Sequence, residues 1–420
     1  MRITIGQSQV SSVLSVNQKR KPSLRIKENP EDFIVKEITT SLKILETGTA
    51  YSNEDLSYAA GTRFTVFALQ KKNWNTLQAL GAVSNALGKG RKSTGFAGTK
   101  DRRALSVQLC SITDTDPERL LALRIPDIQI NFAWKSDMPV KLGDLEGNRF
   151  EITARGGTEE ATDSVNLANS ELNGMFPNYY GTQRFGSRGN NVAIGLALLK
   201  GDFEEAIIRF LTNSSNESNE DAREARSKLA SELDFSKALQ YFPKYLKYER
   251  QMLSYLALYG PNYRAALRVL PRQLLMMLVH SVESEIFNKT VEAYVKEGHV
   301  YPRDGDLYCN ADRYGFPDCS KVSTYKKGDK GFIAANIVGY ETKELSEAEK
   351  NVLGEYGISK ESFRLKQIPE LRAKGSFRAV FAPYKDFSVS EGPDSITIKF
   401  SLPSGSYATV LLSEFVHQAW

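Results

Sequence analysis

The feature that most constrains this chain is a change in its hydrophobic period, and the reversal of that change near the end. Strand-like alternation fills the sequence up to about residue 155, gives way near Gly174 to long segments of helical spacing, and returns after about Arg378. A period of two and a period of 3.6 bury different faces, so the two patterns belong to different layers. One pattern at both ends of another implies a sheet domain interrupted by an insertion, with the last strands rejoining the first sheet. The expected organisation is a sheet domain over 1–173, a helix-rich insertion over 174–378, and closing strands over 379–420. A chain of 420 residues gives each part enough length for its own core.

Within the first part, 33–38 reads as a strand behind a Pro30-Glu31-Asp32 turn, and 63–69 as another. Leu77, Leu80, Val83 and Leu87 recur at helical spacing over 76–87, with Thr76 as N-cap. Further strands are expected at 105–112, 128–132 and 149–154, and a short one ahead of Lys19-Arg20-Lys21. Strand exceeds helix without a regular βαβ alternation, so the fold class is α+β with a mixed, mainly antiparallel sheet. In the middle, 191–211, 239–258 and 271–296 read as helices, and 213–221 as a polar loop. At the end 395–402 alternates, and 408–415, after a Pro-Ser-Gly-Ser turn, reads as a last strand.

Composition excludes several classes. Fifty-five Lys and Arg against 50 Asp and Glu give a net charge of +5, which permits a nucleic-acid partner without demanding one. No run approaches ~18 apolar residues, so no membrane-spanning helix is expected. The N-terminus has no apolar core followed by a small-residue cleavage site, so no secretory signal is expected. Cys110, Cys309 and Cys319 make no disulfide framework and suit a reducing compartment, the cytoplasm. His280, His299 and His417 lie far apart, without a CxxC or HExxH, so no zinc site is expected. The basic glycine turns at 88–92 and 95–103 do not spell a phosphate loop. Lys92-Ser93 follows Arg91, and Gly98-Thr99-Lys100 has the wrong order, so nucleotide binding is not expected either.

Few segments carry candidate chemistry. Asp101, between Lys100 and Arg102-Arg103, is either a solvated acid offsetting its basic neighbours or a carboxylate held ionised by them, able to act as nucleophile or base beside an anionic polymer. The stretch 241–250 interleaves tyrosines with Lys and Arg. It suits RNA stacking and phosphate contact, but is read here as an amphipathic helix whose tyrosines cap the core. Segment 178–186 reads as a packed loop before a helix capped by Asn190 or Asn191. His280 reads as a packed histidine rather than a base.

Five stretches in order resemble the TruD family of tRNA pseudouridine synthases. They are Lys-Glu-Asn-Pro-Glu-Asp-Phe-Ile-Val at 27–35, Gly-Phe-Ala-Gly-Thr-Lys-Asp-Arg-Arg-Ala at 95–104, and Leu-Gly-Asp-Leu-Glu-Gly-Asn-Arg-Phe at 142–150. The others are Pro-Asn-Tyr-Tyr-Gly-Thr-Gln-Arg-Phe-Gly at 177–186 and Leu-Pro-Ser-Gly-Ser-Tyr-Ala-Thr at 402–409. A weaker match runs from His280 to Asn288. The resemblance implies a pseudouridine synthase-like catalytic domain facing the insertion across a basic cleft. It also implies isomerisation of one uridine of tRNA, at tRNA position 13, without cofactor or metal.

By the same resemblance Asp101 is the catalytic aspartate, whether it attacks the sugar or the base or takes the 2′ proton. Lys27 is the base beside it that keeps it charged, Asn148 and Phe150 are active-site positions, and Phe33 is an aromatic of the same region. The Phe150 ring would stack on the target uracil. Lys100, Arg102 and Arg103 are expected to bind the tRNA backbone, with Lys89, Arg91 and Lys92 clustered around them. Ser413 stands where the family commonly has arginine, which puts a C-terminal sheet contact in question. Segment 187–366 matches poorly and its residues carry no expected role. The alternative is a non-catalytic RNA-binding or chaperone protein on the same scaffold. The presence of Asp101 inside an intact motif argues for the enzyme.

Overall fold

A computed structural model describes residues 21–156 and 159–419 of the chain. The strand expected before Lys19-Arg20-Lys21 lies outside the described residues. The described residues divide into two compact units, one made of those from 21 to 177 with 311–318 and 381–419, the other of 178–310 and 319–380.

The first unit is built on one twisted sheet. Its early strands are β1 (Ser23–Ile26), β2 (Phe33–Ile38), β3 (Phe64–Lys72), β4 (Thr94–Phe96), β5 (Leu105–Thr113), β6 (Ile128–Ser136) and β7 (Gly147–Arg155). β8 (Met175–Pro177) leads out of the unit. The second unit contributes β9 (Leu307–Ala311) and β10 (Pro317–Thr324), apart from their ends within 311–318, with β11 (Phe332–Ile337) and β12 (Ser376–Ala379). The chain returns through β13 (Phe381–Pro383) and closes with β14 (Lys385–Gly392), β15 (Ser395–Pro403) and β16 (His417–Ala419).

The main sheet runs β14-β15-β7-β2-β5-β3-β6, with β4 on β5, β1 on β7 and β16 on β1. Only β2 with β5 and β1 with β16 are parallel, so the sheet is mixed and mainly antiparallel, as its strand-rich sequence predicts. The returning segment pairs in register along the whole of β7, from Ser395↔Arg155 to Pro403↔Gly147. This rejoining makes the helical middle an insertion, and the outgoing β8 pairs with the incoming β13 at its base. Helix Thr76–Ala86 covers one part of the sheet, packing Leu80 and Val83 on Phe67, Leu69 and Ile112. Helices Glu159–Leu172 and Ala408–Phe415 cover another, over Phe150, Ile152, Ile398 and Phe400.

Four local readings are corrected. Residues 408–415 form a helix, because Ala408, Leu411, Leu412 and Phe415 fall at i, i+3, i+4 and i+7 and bury one face. Ser413 therefore sits on that helix, where its carbonyl accepts from Lys21 Nζ at 2.7 Å. The N-cap of the first helix is Asn75, which accepts from the Gln78 N–H, and Thr76 is the first helical residue. Segment 191–211 is two helices, Asn191–Lys200 and Phe203–Thr212, because Gly201 turns left-handed and Asp202 caps the second. Asn190 is the N-cap residue of the first of them, as expected, although its side chain makes no cap hydrogen bond and its amide donates to the Arg209 carbonyl. Segment 239–258 is likewise Phe235–Tyr241 and Lys247–Tyr259, parted at Phe242-Pro243.

The second unit packs its helices around Arg272–Lys296, whose Leu278, Val282 and Ile286 are central to a large apolar core. Its sheet runs β10-β9-β11-β12. Tyr245 and Tyr248 are exposed rather than capping that core, and the buried members of their stretch are Phe242 and Glu249. His280 is also less enclosed than expected, with its ring about a third exposed and Nδ1 bonded to Glu283.

Candidate active site

The chain leaves β4, crosses through residues 97–104, and re-enters the sheet as β5, antiparallel to β4 with Phe96 opposite Cys110. Glycine is required where this crossing starts, since a Cβ on Gly95 would lie 2.3 Å from the Val140 carbonyl oxygen. The crossing loop is then fixed from below at almost every residue. Gln108 Nε2 donates to the Gly98 carbonyl at 2.9 Å. Thr76 Oγ1 donates to Gln108 Oε1 at 2.8 Å and accepts the Lys100 N–H at 2.9 Å. Lys100 Nζ reaches Glu37 Oε2 at 2.7 Å, and Lys71 Nζ donates to the Asp101 carbonyl at 2.8 Å. Arg102 Nε and an Arg103 guanidinium N–H donate to the carbonyls of Asn73 and Glu28. A loop ordered this way has lost its conformational entropy on folding, not at the moment of reaction.

Against this fixed backbone, the Asp101 carboxylate remains 39% exposed. Its Oδ2 accepts from Lys27 Nζ at 2.9 Å. Lys27 follows the end of β1 with a left-handed backbone (φ 62°), a conformation costing roughly 1 kcal/mol or more for a residue with a Cβ. The same ammonium lies 3.9 Å from the centroid of the Phe33 ring. Phe33 meets Phe150 edge-on at 6.1 Å, and Phe150 leans on Phe400 at 5.5 Å. The four sequence-picked residues Asp101, Lys27, Phe33 and Phe150 thus touch one another in succession. Asn148 lies two residues before Phe150 on β7, opposite Glu37 of β2, so it shares the face of Phe150. Its Oδ1 is buried without a hydrogen-bond partner among the described residues.

The remaining picks fall differently. Arg102 and Arg103 are exposed. Lys100 is not: its side chain is 3% exposed and committed to Glu37, which is fully buried. Lys89 ties back to the Thr113 carbonyl at 2.8 Å, while Arg91 and Lys92 stand in an exposed 3-10 turn. Phe150, only 7% exposed, presents little ring face for stacking.

Glu37 and Lys71 are not among the residues picked from sequence, and neither is the clamp made by Thr76 and Gln108. A signal for the two charges exists. Glu37 shares the strand phase of Phe33 and Val35, and Lys71 that of Phe67 and Leu69, so each puts a charge where an apolar residue belongs. Burial pushes the Lys71 ammonium down to about 8, against the pull of Asp101.

The family description that matches this sequence, tRNA pseudouridine synthase D (TruD), spans residues 16–415. The chain belongs to the TruD family. Proteins named probable tRNA pseudouridine synthase D from Methanosarcina mazei and Thermococcus sibiricus are each 32% identical to it, over 93% of this chain and 93% and 94% of theirs. One of the same name from Thermoplasma acidophilum is 31% identical over 97% of both chains. A crystal structure of the putative tRNA pseudouridine synthase D of Methanosarcina mazei superposes with a TM-score of 0.78 at 30% identity, covering 99% of this chain and 98% of that one. Among the described residues of this TruD chain, no helix is long and apolar enough to cross a membrane. None of its described His, Cys, Asp and Glu residues form a group of three or more that could hold a metal ion.

Proposed function

We propose that this chain converts one uridine of tRNA, at position 13, to pseudouridine, with Asp101 as the catalytic carboxylate and without a cofactor. Membership of the TruD family supports the reaction, and one observation supports the residue. Asp101 is the acid whose backbone is pinned by a buried lysine while its carboxylate stays open to solvent beside Lys27. The reaction breaks N1–C1′, turns the uracil and joins C5 to C1′. The hydrogen on C5 leaves as a proton and N1 gains one, so the product is an isomer. An open, oriented carboxylate oxygen suits attack on the sugar or base, or removal of the 2′ proton.

Lys27 holds that oxygen in place and is itself held over the Phe33 ring. Asn148 Oδ1 offers a buried acceptor, the complement of the N3–H donor of uracil. The target base has to leave its stack to reach these groups. In this reading Arg102 and Arg103, both exposed, supply phosphate contacts.

The test is incubation with unmodified tRNA carrying tritium at uridine C5, scoring release to water. Wild-type release is expected. Asp101→Asn is expected to abolish it while leaving tRNA binding within a few-fold, because the amide keeps the shape and loses the reactive oxygen. Turnover by Asp101→Asn near the wild-type rate rejects the assignment.

A further inference from the structure

Lys71, the penultimate residue of β3, has no exposed surface at all. A buried ammonium is costly unless a carboxylate answers it. Here its one hydrogen bond among the described residues goes to a neutral group, the Asp101 carbonyl, at 2.8 Å. The charges around it do not cancel it. Lys100 is matched by Glu37 at 2.7 Å, and the Asp101 carboxylate is matched by Lys27 at 2.9 Å. Lys71 makes no ion pair within 4 Å among the described residues, so one unit of positive charge is left over beneath the loop. A neutral donor would hold the same carbonyl at a lower desolvation cost, so anchoring the loop does not by itself account for a lysine.

We propose that Lys71 is a positioning residue for the isomerisation, acting through Asp101: it fixes the backbone of the reacting aspartate and supplies an unbalanced positive charge that attracts and orients its carboxylate. This rests on the isomerase reading above. When N1–C1′ breaks, the bonding pair leaves on the uracil ring. If Asp101 attacks C1′ or takes the 2′ proton, its own negative charge is consumed in the same step. The Asp101 carboxylate therefore has to be held and aimed when the step begins, and an ammonium 2.8 Å from its own carbonyl oxygen both anchors the residue and attracts that carboxylate. C5 then bonds to C1′ as the Asp101–C1′ bond breaks, or as Asp101 returns the 2′ proton to C2′, which restores the carboxylate; the C5 proton passes to water, and N1 takes a proton from water.

The experiment uses the full chain and tRNA carrying tritium at uridine C5, in single turnover, comparing wild type with Lys71→Met. The variant is expected to melt no lower than a few degrees below wild type and to bind tRNA within about threefold. Its rate of release is expected to fall on the order of 100-fold. The charge itself is read from the pH profile. The groups facing Lys71 are Asp101, Lys100 and Cys110, with Lys27 beyond Asp101, and burial sets Lys71 at about 8. Cys110 is pushed well above its ordinary value by burial, so it does not titrate there.

The wild-type rate is expected to fall as pH rises through about 8, and Lys71→Met is expected to lack that limb. A wild-type rate in Lys71→Met, or the same alkaline limb in both, overturns the proposal. Should Lys71→Met melt far below wild type, the wild-type profile decides alone, and a rate flat across about pH 7 to 9 overturns it. Wild-type chain that binds tRNA and releases no tritium rejects the isomerase reading itself, and this inference falls with it.

Discussion

The ammonium of Lys100 and the carboxylate of Glu37 lie 2.7 Å apart with their side chains 3% and 0% exposed. The other Glu37 oxygen accepts the Leu109 N–H of β5 at 3.0 Å, so one carboxylate joins β2, β5 and the loop that carries Asp101. A desolvated pair is costly to break on one side, because the survivor stays buried as an unpaired charge, at about 3–5 kcal/mol. Glu37→Gln and Lys100→Met are each expected to lose stability in that range, and the double variant to lose clearly less than their sum. Urea midpoints in a double-mutant cycle check this. Strict additivity would mean that the two groups are not coupled.

The burial of Lys100 also redraws the expected RNA face. Arg102 and Arg103 are exposed on the loop, whereas Lys100 points into the protein. Removing one phosphate-binding cation should make the log–log salt slope of tRNA binding shallower by about 0.7–0.9. Arg102→Ala and Arg103→Ala are expected to show that change. Lys89→Ala is not, since Lys89 is half-buried with its ammonium turned to the Thr113 carbonyl, whereas the two exposed guanidinium groups keep further N–H donors beyond the one each gives to a backbone carbonyl. Filter binding across a salt series measures it, and equal slopes in all three variants would remove this loop from the RNA face.

What can be read in the sequence follows from the range of the forces involved. The strands from Phe33, Leu105 and Ser395 and the helix at Thr76 are legible, because period and turn residues are local. The return of β15 onto β7 is legible as a pattern, not as a register. The apolar spacing of 191–211 runs through Gly201 and hides the break there, although Gly201-Asp202 spells a helix stop and a cap. Residues 408–415 mislead because a short apolar run behind a turn suits strand and helix alike. At the site, Asp101 and Lys27 are found through motifs. Glu37 and Lys71 are set by strands distant in sequence from the loop they support. Only three-dimensional pairing distinguishes a buried Lys100 from an exposed Arg102 two positions on.

The turn that carries Lys27 into β2 has its own pH sensitivity. Burial alone would push the Asp32 carboxyl up. The hydrogen bonds from Arg155, at 2.6 and 3.1 Å, and from the Asn29 N–H outweigh it and hold Asp32 below its ordinary value. The unfolded chain therefore takes up the proton first as pH falls. The stabilisation is complete above the unfolded value, near about 4, and is lost as pH falls through the lower folded value. Asp32→Asn is expected to be less stable at neutral pH and to lose less stability between about pH 4 and 2. Parallel curves of urea midpoint against pH for the two chains would contradict this.

Phe150 separates packing from substrate contact. Its ring is 7% exposed, edge-on to Phe33 and leaning on Phe400, which is its direct cross-strand partner on β15. It belongs to the core under helices Glu159–Leu172 and Ala408–Phe415. A ring stacked on an extruded uracil would be worth about 1–3 kcal/mol of binding, whereas emptying a packed aromatic site costs about 3–5 kcal/mol of stability. The surroundings favour the second. Phe150→Ala is expected to lower the melting temperature, tRNA binding and tritium release together. Phe150→Leu keeps most of the apolar volume and is expected to stay within about 1.5 kcal/mol of wild type. The leucine variant decides the matter, since it removes the aromatic face without opening a large cavity. If it folds, binds and turns over, the ring serves as the wall that holds Phe33, and through Phe33 the Lys27 ammonium, against Asp101. If it folds and binds but releases no tritium, the aromatic face itself meets the base, and Phe150 joins Asp101 among the residues that touch substrate.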